Sequence, residues 1–572
     1  MSSTNIGLAE VETRRPAPQP APAPDRDWWR GAVIYQIYPR SFQDSNGDGV
    51  GDLRGILMRL PHVASLGVDA IWISPFFRSP MRDYGYDVSD YRDVDPMFGT
   101  LEDFDAVVAE AHRLGLKVMI DLVLSHTSDE HPWFRESRAS RDNPRADWYV
   151  WADPSPDGTP PNNWLSIFGG SAWMWDTRRE QYYMHNFLAE QPDLNFHNRD
   201  VQQALLDATR FWLERGVDGF RLHTINFYFH SAGLESNPPL PRESRDYSTA
   251  PSVNPYNYQD HLYDKSRPEN LEFLRRFRAL LDEYPGRAAV GEVGDAQRGL
   301  EVVAAYTGGG ERVHMCYSFD FLGPVKVTAE RVRQVLETFG AVAADGWSCW
   351  AVSNHDVVRT ASRWTAGEAD PHAYLKIVAA LLMSLRGSVC LYQGEELGLP
   401  EADILFTELT DPRGIRFWPE DKGRDGCRTP MPWLAHAPHG GFTTGTPWLP
   451  LKAAQAALSV EAEDADPAST LSYYRQVLAW RKTHPGLRDG AIAFFKTAEP
   501  VLAYRRSGGD ADLICVFNLS PEPRAITLAA FTPVPEPVSH HAALSGPTLT
   551  LGPNGYAIFP VPPGDGSVSF KG

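Results

Sequence analysis

Three short stretches carry residues whose types and positions could do chemistry. "AAVGEV" is an apolar run that closes near Glu292, "VSNHD" ends on His355 and Asp356, and "GFRLH" carries Arg221 and His223. Carboxyl groups brought to one cavity suit cleavage of a glycosidic bond. One gives and then takes a proton, a second attacks, and a third stabilises the cationic sugar. Burial at the end of an apolar run should raise the Glu292 pKa, which suits a general acid. Arg221 and residue 223 share one strand face because side chains alternate, so Arg221 could steer a carboxylate at 223. Histidine stands there instead, and that partnership is lost. Neutral imidazole offers no negative charge to an oxocarbenium-like transition state, and imidazolium would repel it.

A second constellation is "DSNGDGVGDLRG". It spaces Asp44, Asn46, Asp48 and Asp52 as a cation loop, with the Val50 carbonyl as a further ligand. It opens like an EF-hand, but the twelfth position is Gly55, where an EF-hand needs a bidentate glutamate. Oxygen donors alone suit a structural Ca²⁺ or Mg²⁺.

The elements that would position these groups alternate along the chain. Eight strand-like runs begin at Ala32, Ala70, Lys117, Gly219, Ala289, Met315, Trp347 and Val389. Helical periodicity lies between them, as in Leu101–Gly115 and Val201–Gly216. This pattern predicts an α/β fold, a (β/α)8 barrel with its active site at the C-terminal ends of the strands. Polar residues gather at five of those ends. The third run is followed by an irregular segment too long for a simple loop, read as an inserted subdomain over 127–196. The segment from about His230 to Asn270 reads as a lid or pocket wall. Short strands after 490 suggest a C-terminal β-sandwich over 491–572. The barrel itself would then span 27–126 and 197–490. Residues 1–26, with "RRPAPQPAPAP", read as a disordered Pro-rich tail.

The net charge of -19 argues against nucleic acid or an anionic membrane as partner. No stretch approaches the ~20 apolar residues of a membrane span, and the N-terminus has no apolar secretory core. Five widely spaced cysteines without a CxxC fit neither a disulfide framework nor a zinc site. A reducing, cytoplasmic setting fits them.

"QIYPRSF", "DYGYDVSDY", "DLVLSH", "QPDLNF", "GFRLHTIN", "GEVGD", "SNHD" and "CRTPMPW" occur in the order of the α-amylase superfamily, glycoside hydrolase family 13. The chain most resembles the bacterial α-glucosidases and oligo-1,6-glucosidases, over about residues 27–570. The resemblance implies that position 223 is the family's aspartate nucleophile, Glu292 its acid/base and Asp356 its transition-state stabiliser. It further implies that Asp83, Tyr86, His126, Arg221, His355 and Arg428 hold the non-reducing-end glucose. Phe168 would form a wall of the same subsite, with core packing as the rival reading. Thr224 resembles the α-1,4-preferring members, where α-1,6-preferring ones carry valine. Ser125 stands where asparagine is more common. The segment after strand four resembles a loop of members that prefer disaccharides and transfer glucose to alcohols or phenols. A metal at the Asp44–Asp52 loop is also implied.

Three readings of His223 follow. The chain is a retaining α-glucosidase for short α-glucosides whose nucleophile has been replaced, a relative that binds sugar without cleaving it, or an enzyme in which His223 itself attacks. Sucrose-cleaving and trehalose-forming relatives are alternatives within the family. The non-enzymatic transporter subunits of amylase-like type carry a membrane span and lack several catalytic residues, neither of which applies here.

Overall fold

The computed structural model describes residues 25–343, 345–529, 535–564 and 569–571. The expected Pro-rich tail lies outside the described residues, apart from Asp25 and Arg26.

The eight expected strands are present: β1 (Val33–Ile37), β2 (Ala70–Ile73), β3 (Lys117–Leu122), β4 (Gly219–Leu222), β5 (Ala288–Val293), β6 (Met315–Ser318), β7 (Cys349–Trp350) and β8 (Ser388–Tyr392). They pair in parallel in the order β6-β5-β4-β3-β2-β1-β8-β7. A parallel bridge between Cys316 and Ser348 joins the two outermost strands, so the sheet closes on itself. One long helix follows each strand: α1 (Leu53–Leu66), α2 (Leu101–Arg113), α3 (Arg199–Glu214), α4 (Asn270–Asp282), α5 (Gly299–Thr307), α6 (Ala329–Val342), α7 (Pro371–Ser384) and α8 (Thr470–Lys482). Capping side chains start many of them. Thr100 and Asp103 form a reciprocal capping box on α2, and Asp52, Asn198, Thr328, Asp370 and Ser469 accept first-turn N–H groups elsewhere.

Strand alternation explains where the polar groups go. Tyr35, Ile71, Ile120, Phe220 and Leu391 face the helices. Ile34, Trp72, Met119, Val290, Met315 and Cys390 fill the barrel interior. Two residues further along the same inward faces come Gln36, Asp121, Glu292 and Tyr317. On β4 the inward residues are Arg221 and then His223. The apolar floor and the polar top are thus one period-two pattern, with polarity switching at the strand C-termini.

Between β3 and α3 lies a three-stranded antiparallel sheet of Trp151–Ala152, Gln181–Met184 and Trp173–Asp176. It has its own core around Trp164, Trp173 and Met184. The segment after β4 contains only short 3-10 turns before α4. At the C-terminus the described residues form the expected all-β domain, seven antiparallel strands with a core of their own around Ile514, Val516, Ile526, Leu549 and Phe559. The 14-residue strand Thr548–Val561 is long enough to pair with three neighbours and so holds them in one sheet. Buried Arg506 bolts this sheet to the barrel. Its guanidinium donates to the carbonyls of Ser384 and Leu385, both at 2.7 Å, which are orphan acceptors at the end of α7.

Candidate active site

A cavity of about 490 Å³ opens at the strand C-termini. Its wall includes Asp83, Tyr86, Phe168, His223, Glu292 and Asp356. The inserted sheet region contributes Ile167, Phe168 and Phe187, and the segment after β4 contributes Tyr247 to Thr249, Pro251 and Ser252. That segment is therefore a pocket wall, as its position suggested.

The floor is an ionic lattice around Arg221, which is fully buried. Arg221 Nη1 donates to Asp121 Oδ1 at 2.9 Å, and Nη2 lies 2.5 Å from Glu292 Oε1. The Tyr317 hydroxyl accepts from Arg221 Nη2 at 2.9 Å and donates to Glu292 Oε1 at 3.0 Å. On the other carboxylate oxygen, Glu292 Oε2 accepts the Thr224 N–H at 2.9 Å and faces His223 Nδ1 at 3.2 Å. Thr224 reaches this position with φ of 40°, a left-handed conformation that strains a β-branched residue. The strain aims its amide at Glu292.

His223 Nδ1 also lies 3.1 Å from Arg221 Nη1. One ring nitrogen cannot serve both neighbours. Arg221 Nη1 already has Asp121, whereas Glu292 Oε2 is a carboxylate acceptor, so we assign the Nδ1 hydrogen toward Glu292. The ring packs against Tyr86 (centroids 4.6 Å apart), Phe187 (5.5 Å) and His126 (5.6 Å).

The sequence-based expectation for the Glu292 charge is reversed. Burial does push its carboxyl upward, but the Arg221 guanidinium and then the His223 hydrogen bond outweigh burial and hold it at about 2. At neutral pH it is a carboxylate, not the proton donor that burial alone would have made. Arg221 meets no carboxylate at 223 and finds its anionic partners on the neighbouring strands. Asp121 and Glu292 take both arms of its guanidinium.

Asp356 faces the cavity with its side chain 25% exposed. Burial raises its carboxyl, while His355, Arg428 and Arg424 together hold it far below the usual carboxylate range. Arg428 Nη2 donates to Asp356 Oδ1 at 2.8 Å, and Arg428 Nε donates to the His355 carbonyl at 2.7 Å. His355 is neutral, its pKa pushed down to about 3 by burial. Gln36 Nε2 donates to its Nδ1 at 2.7 Å, which leaves Nε2 to carry hydrogen beside the Tyr86 oxygen at 2.6 Å. The Tyr86 hydroxyl in turn donates to Asp121 Oδ2 at 3.1 Å. His126 is buried and held neutral by desolvation, with Nε2 3.0 Å from the Tyr86 carbonyl.

On the cavity wall Arg424 Nη2 bonds Asp83 Oδ1 and Asp411 Oδ1, both at 2.7 Å, and its guanidinium lies 5.1 Å over the Phe168 ring. Arg424 lines the cavity, and the sequence reading missed it. The signal was present in "RDGCRTPMPW": Arg424 and Arg428 flank the 3-10 turn Asp425–Cys427, which aims both at Asp356. Four expected substrate residues, His126, Arg221, His355 and Arg428, are 0% exposed. They form the layer behind the wall and orient Tyr86, Glu292 and Asp356.

The Asp44–Asp52 loop lies apart from the cavity. Gly49, with φ of 95°, makes the turn after Asp48. The oxygen-only donor set fits a hard cation in kind. In this structure, however, the carboxylates serve loop donors. Asp44 Oδ2 accepts from Gly49 N at 2.8 Å, Asp48 Oδ1 from Val50 N at 2.8 Å, and Asp52 Oδ1 caps α1 through Gly55 N at 2.7 Å. Among the described residues no three His, Cys, Asp or Glu side chains gather as a metal nest. The five cysteines are unpaired and buried.

The profile of the alpha amylase catalytic domain matches residues 36–490. The chain is 66% identical over 499 residues to a probable alpha-glucosidase of Rhizobium meliloti, covering 87% of this chain and 90% of that one. It is 37% identical over 529 residues to an oligo-1,6-glucosidase of Heyndrickxia coagulans, covering 86% and 92%. Among solved structures, the alpha-glucosyl transfer enzyme XgtA superposes with a TM-score of 0.91 at 56% identity, covering 94% of this chain and all of that one. The trehalulose synthase MutB of Pseudomonas mesoacidophila MX-45 superposes at 0.83 with 32% identity, again covering 94% of this chain and 100% of its own. The closed eight-strand barrel, the carboxylates converging at its C-terminal face and these matches agree: the chain belongs to the alpha-amylase family of glycoside hydrolases, family 13, among relatives named for α-glucosidase activity.

Proposed function

We propose that the cavity is the glucose site of a retaining α-glucosidase frame acting on the non-reducing end of short α-glucosides, and that His223 suppresses its cleavage reaction. The observation that carries this reading is the fork around Glu292, with Arg221 at 2.5 Å on one oxygen and His223 at 3.2 Å on the other. A retaining mechanism needs a carboxylate at 223 and a proton on Glu292. His223 removes the first and, by its contact, the second. The Asp83–Arg424 pair lies on the cavity wall with Tyr86 and Phe168, a charged pair beside two flat rings that suits one terminal sugar.

The finer assignments rest on the same frame. Thr224, whose Oγ1 lies 3.2 Å from Ser125 Oγ, gives the wall beside residue 223 a polar face consistent with α-1,4 preference. Phe227, Tyr247, Phe319 and Leu322 offer an apolar approach that would accept alcohols or phenols as glucosyl acceptors. The similarity to an alpha-glucosyl transfer enzyme supports transfer. Asp44, Asn46, Asp48, the Val50 carbonyl and Asp52 are proposed to hold Ca²⁺ or Mg²⁺ as a structural ion. No helix among the described residues is long and apolar enough to cross a membrane. Free buried thiols support a cytoplasmic setting.

The test is product analysis of the His223 chain and of His223→Asp on maltose, isomaltose, sucrose and trehalose. The reading expects negligible cleavage by the His223 chain and glucose release from maltose by the variant. A variant that acts only on sucrose or trehalose would move the chain to those branches. A folded variant that cleaves none of the four would reject the α-glucosidase frame.

A further inference from the structure

In a site built for α-glucosides, a proton donor sits on the side of the departing oxygen and a carboxylate faces the opposite side of the sugar ring. The same two positions here carry the reverse polarity. Glu292, on the departing side, is a carboxylate fixed by Arg221 Nη2 at 2.5 Å, the Tyr317 hydroxyl at 3.0 Å and the Thr224 N–H at 2.9 Å. His223, on the other side, aims an N–H across 3.2 Å at it. A base on one face and a hydrogen donor on the other are what a single displacement requires, provided the leaving group starts on the His223 face. That is the β-anomer of the donor.

We propose that this chain transfers glucose with inversion from β-configured glucosyl donors bearing a small anionic leaving group to hydroxyl acceptors, giving α-glucosides that it does not then cleave. The proposal rests on the reading above that the cavity is the glucose site of an α-glucosidase frame, and it places the anomeric carbon between residues 223 and 292. Entry of the sugar exchanges the direct His223–Glu292 contact for one hydrogen bond on each face. The bond from C1 to the leaving group breaks, and the group departs with the electron pair toward His223 Nδ1–H. The acceptor oxygen forms the new C1–O bond from the Glu292 side, and its proton passes to the Glu292 carboxylate and on to solvent. Nothing is oxidised or reduced, and no covalent enzyme adduct forms. Phe227, Tyr247, Phe319 and Leu322 give an aryl or sugar acceptor a surface on which to stack. The product persists because cleaving it would need the carboxylate at 223 that the chain lacks.

The experiment mixes the full chain with β-glucosyl fluoride and p-nitrophenyl α-glucoside. Fluoride is read with an ion-selective electrode and the new linkage by proton NMR. The expected result is fluoride release at least about 100-fold above the spontaneous rate, the scale of one positioned acid or base, with an α-linked product. Glu292→Gln should return the rate to near spontaneous. His223→Phe, which keeps the bulk but lacks the N–H, should slow it by about tenfold, the scale of one hydrogen bond. Fluoride release at the spontaneous rate, a β-linked product, or a rate unchanged by Glu292→Gln would overturn the proposal. Equal rates for His223→Phe would overturn the donor role of the imidazole. Maltose cleavage by His223→Asp separates the levels: if it is active while the His223 chain releases no fluoride, the inverted chemistry alone has failed, and if it is inactive too, the reading of the cavity has failed with it.

Discussion

Replacing His223 with aspartate changes two things at once, and the structure gives each a size. The variant supplies a carboxylate where the attacking group belongs. It also removes from Glu292 the Nδ1–H that lies 3.2 Å away and puts a like charge beside it. Glu292 now sits at about 2 against an ordinary value of 4.5. At pH 7 its protonated fraction is then about one in 10⁵, whereas a carboxyl back at its ordinary value is protonated about one time in 300. Recovering the acid alone is worth about 300-fold, within the roughly 10² to 10⁴ that general acid catalysis supplies. Restoring the covalent route adds to that, so kcat/KM on maltose should rise by at least about 10³, or about 4 kcal/mol of transition-state stabilisation. The assay is initial-rate glucose release from maltose at neutral pH, with the thermal midpoint of both forms measured alongside. Comparable, substantial rates in the two forms would refute the reasoning, because the imidazole would then be competent as it stands. A well-folded variant with no gain would refute it equally.

Other expectations follow from the same lattice. In a His223→Asp background, Asp83→Asn should cut kcat/KM on maltose by about 10- to 100-fold, the worth of a hydrogen bond to a charged group. It should leave folding nearly intact, since Arg424 keeps Asp411 at 2.7 Å; steady-state kinetics and a melting curve check both. Burial holds His131 and His230 at about 3 against an ordinary 6.5, so the unfolded chain binds more protons between those values. Their contribution to stability is full above 6.5 and is lost as pH falls toward 3. Calorimetry should show the melting temperature flat near neutrality and falling on the acid side, with His230→Gln reducing that slope by about one proton; an unchanged slope would contradict the buried neutral assignment. Millimolar Ca²⁺ or Mg²⁺ should raise the melting temperature by a few degrees, on the order expected for about 1–2 kcal/mol of linkage. Asp48→Ala, which spares the α1 cap at Asp52, should abolish the rise, and equal melting with chelator and with either ion would reject the site.

Much of this was legible in the residues. The eight strands announce themselves because each is an apolar run that ends in polar residues, and alternation alone places Asp121, Arg221, His223, Glu292 and Tyr317 on the inward face. Ionisation was not legible. Burial of Glu292 is local to β5 and readable, but the groups that overrule it, Arg221 and His223, come from β4, and their distances depend on strand register. Arg424 was hidden for another reason. It sits beside a 3-10 turn in an irregular segment, where no periodicity reports which way a side chain points. The C-terminal strands were visible singly, but their union in one sheet depends on the length of Thr548–Val561. The cation loop shows the reverse case: its spacing reads clearly in the sequence, while the carboxylates themselves are engaged with loop N–H groups.

The central claim concerns a proton, and the most direct measurement follows it. Carbon-13 NMR of glutamate-labelled chain, with the Glu292 carboxyl assigned by its absence in Glu292→Gln, reads that group as pH is lowered. The account predicts that in the His223 chain the signal stays in its carboxylate position from pH 7 down to about pH 3.5 and that His223→Asp moves the titration up by about two units or more. A His223 chain whose Glu292 titrates at or above 4.5, the ordinary glutamate value, would contradict it.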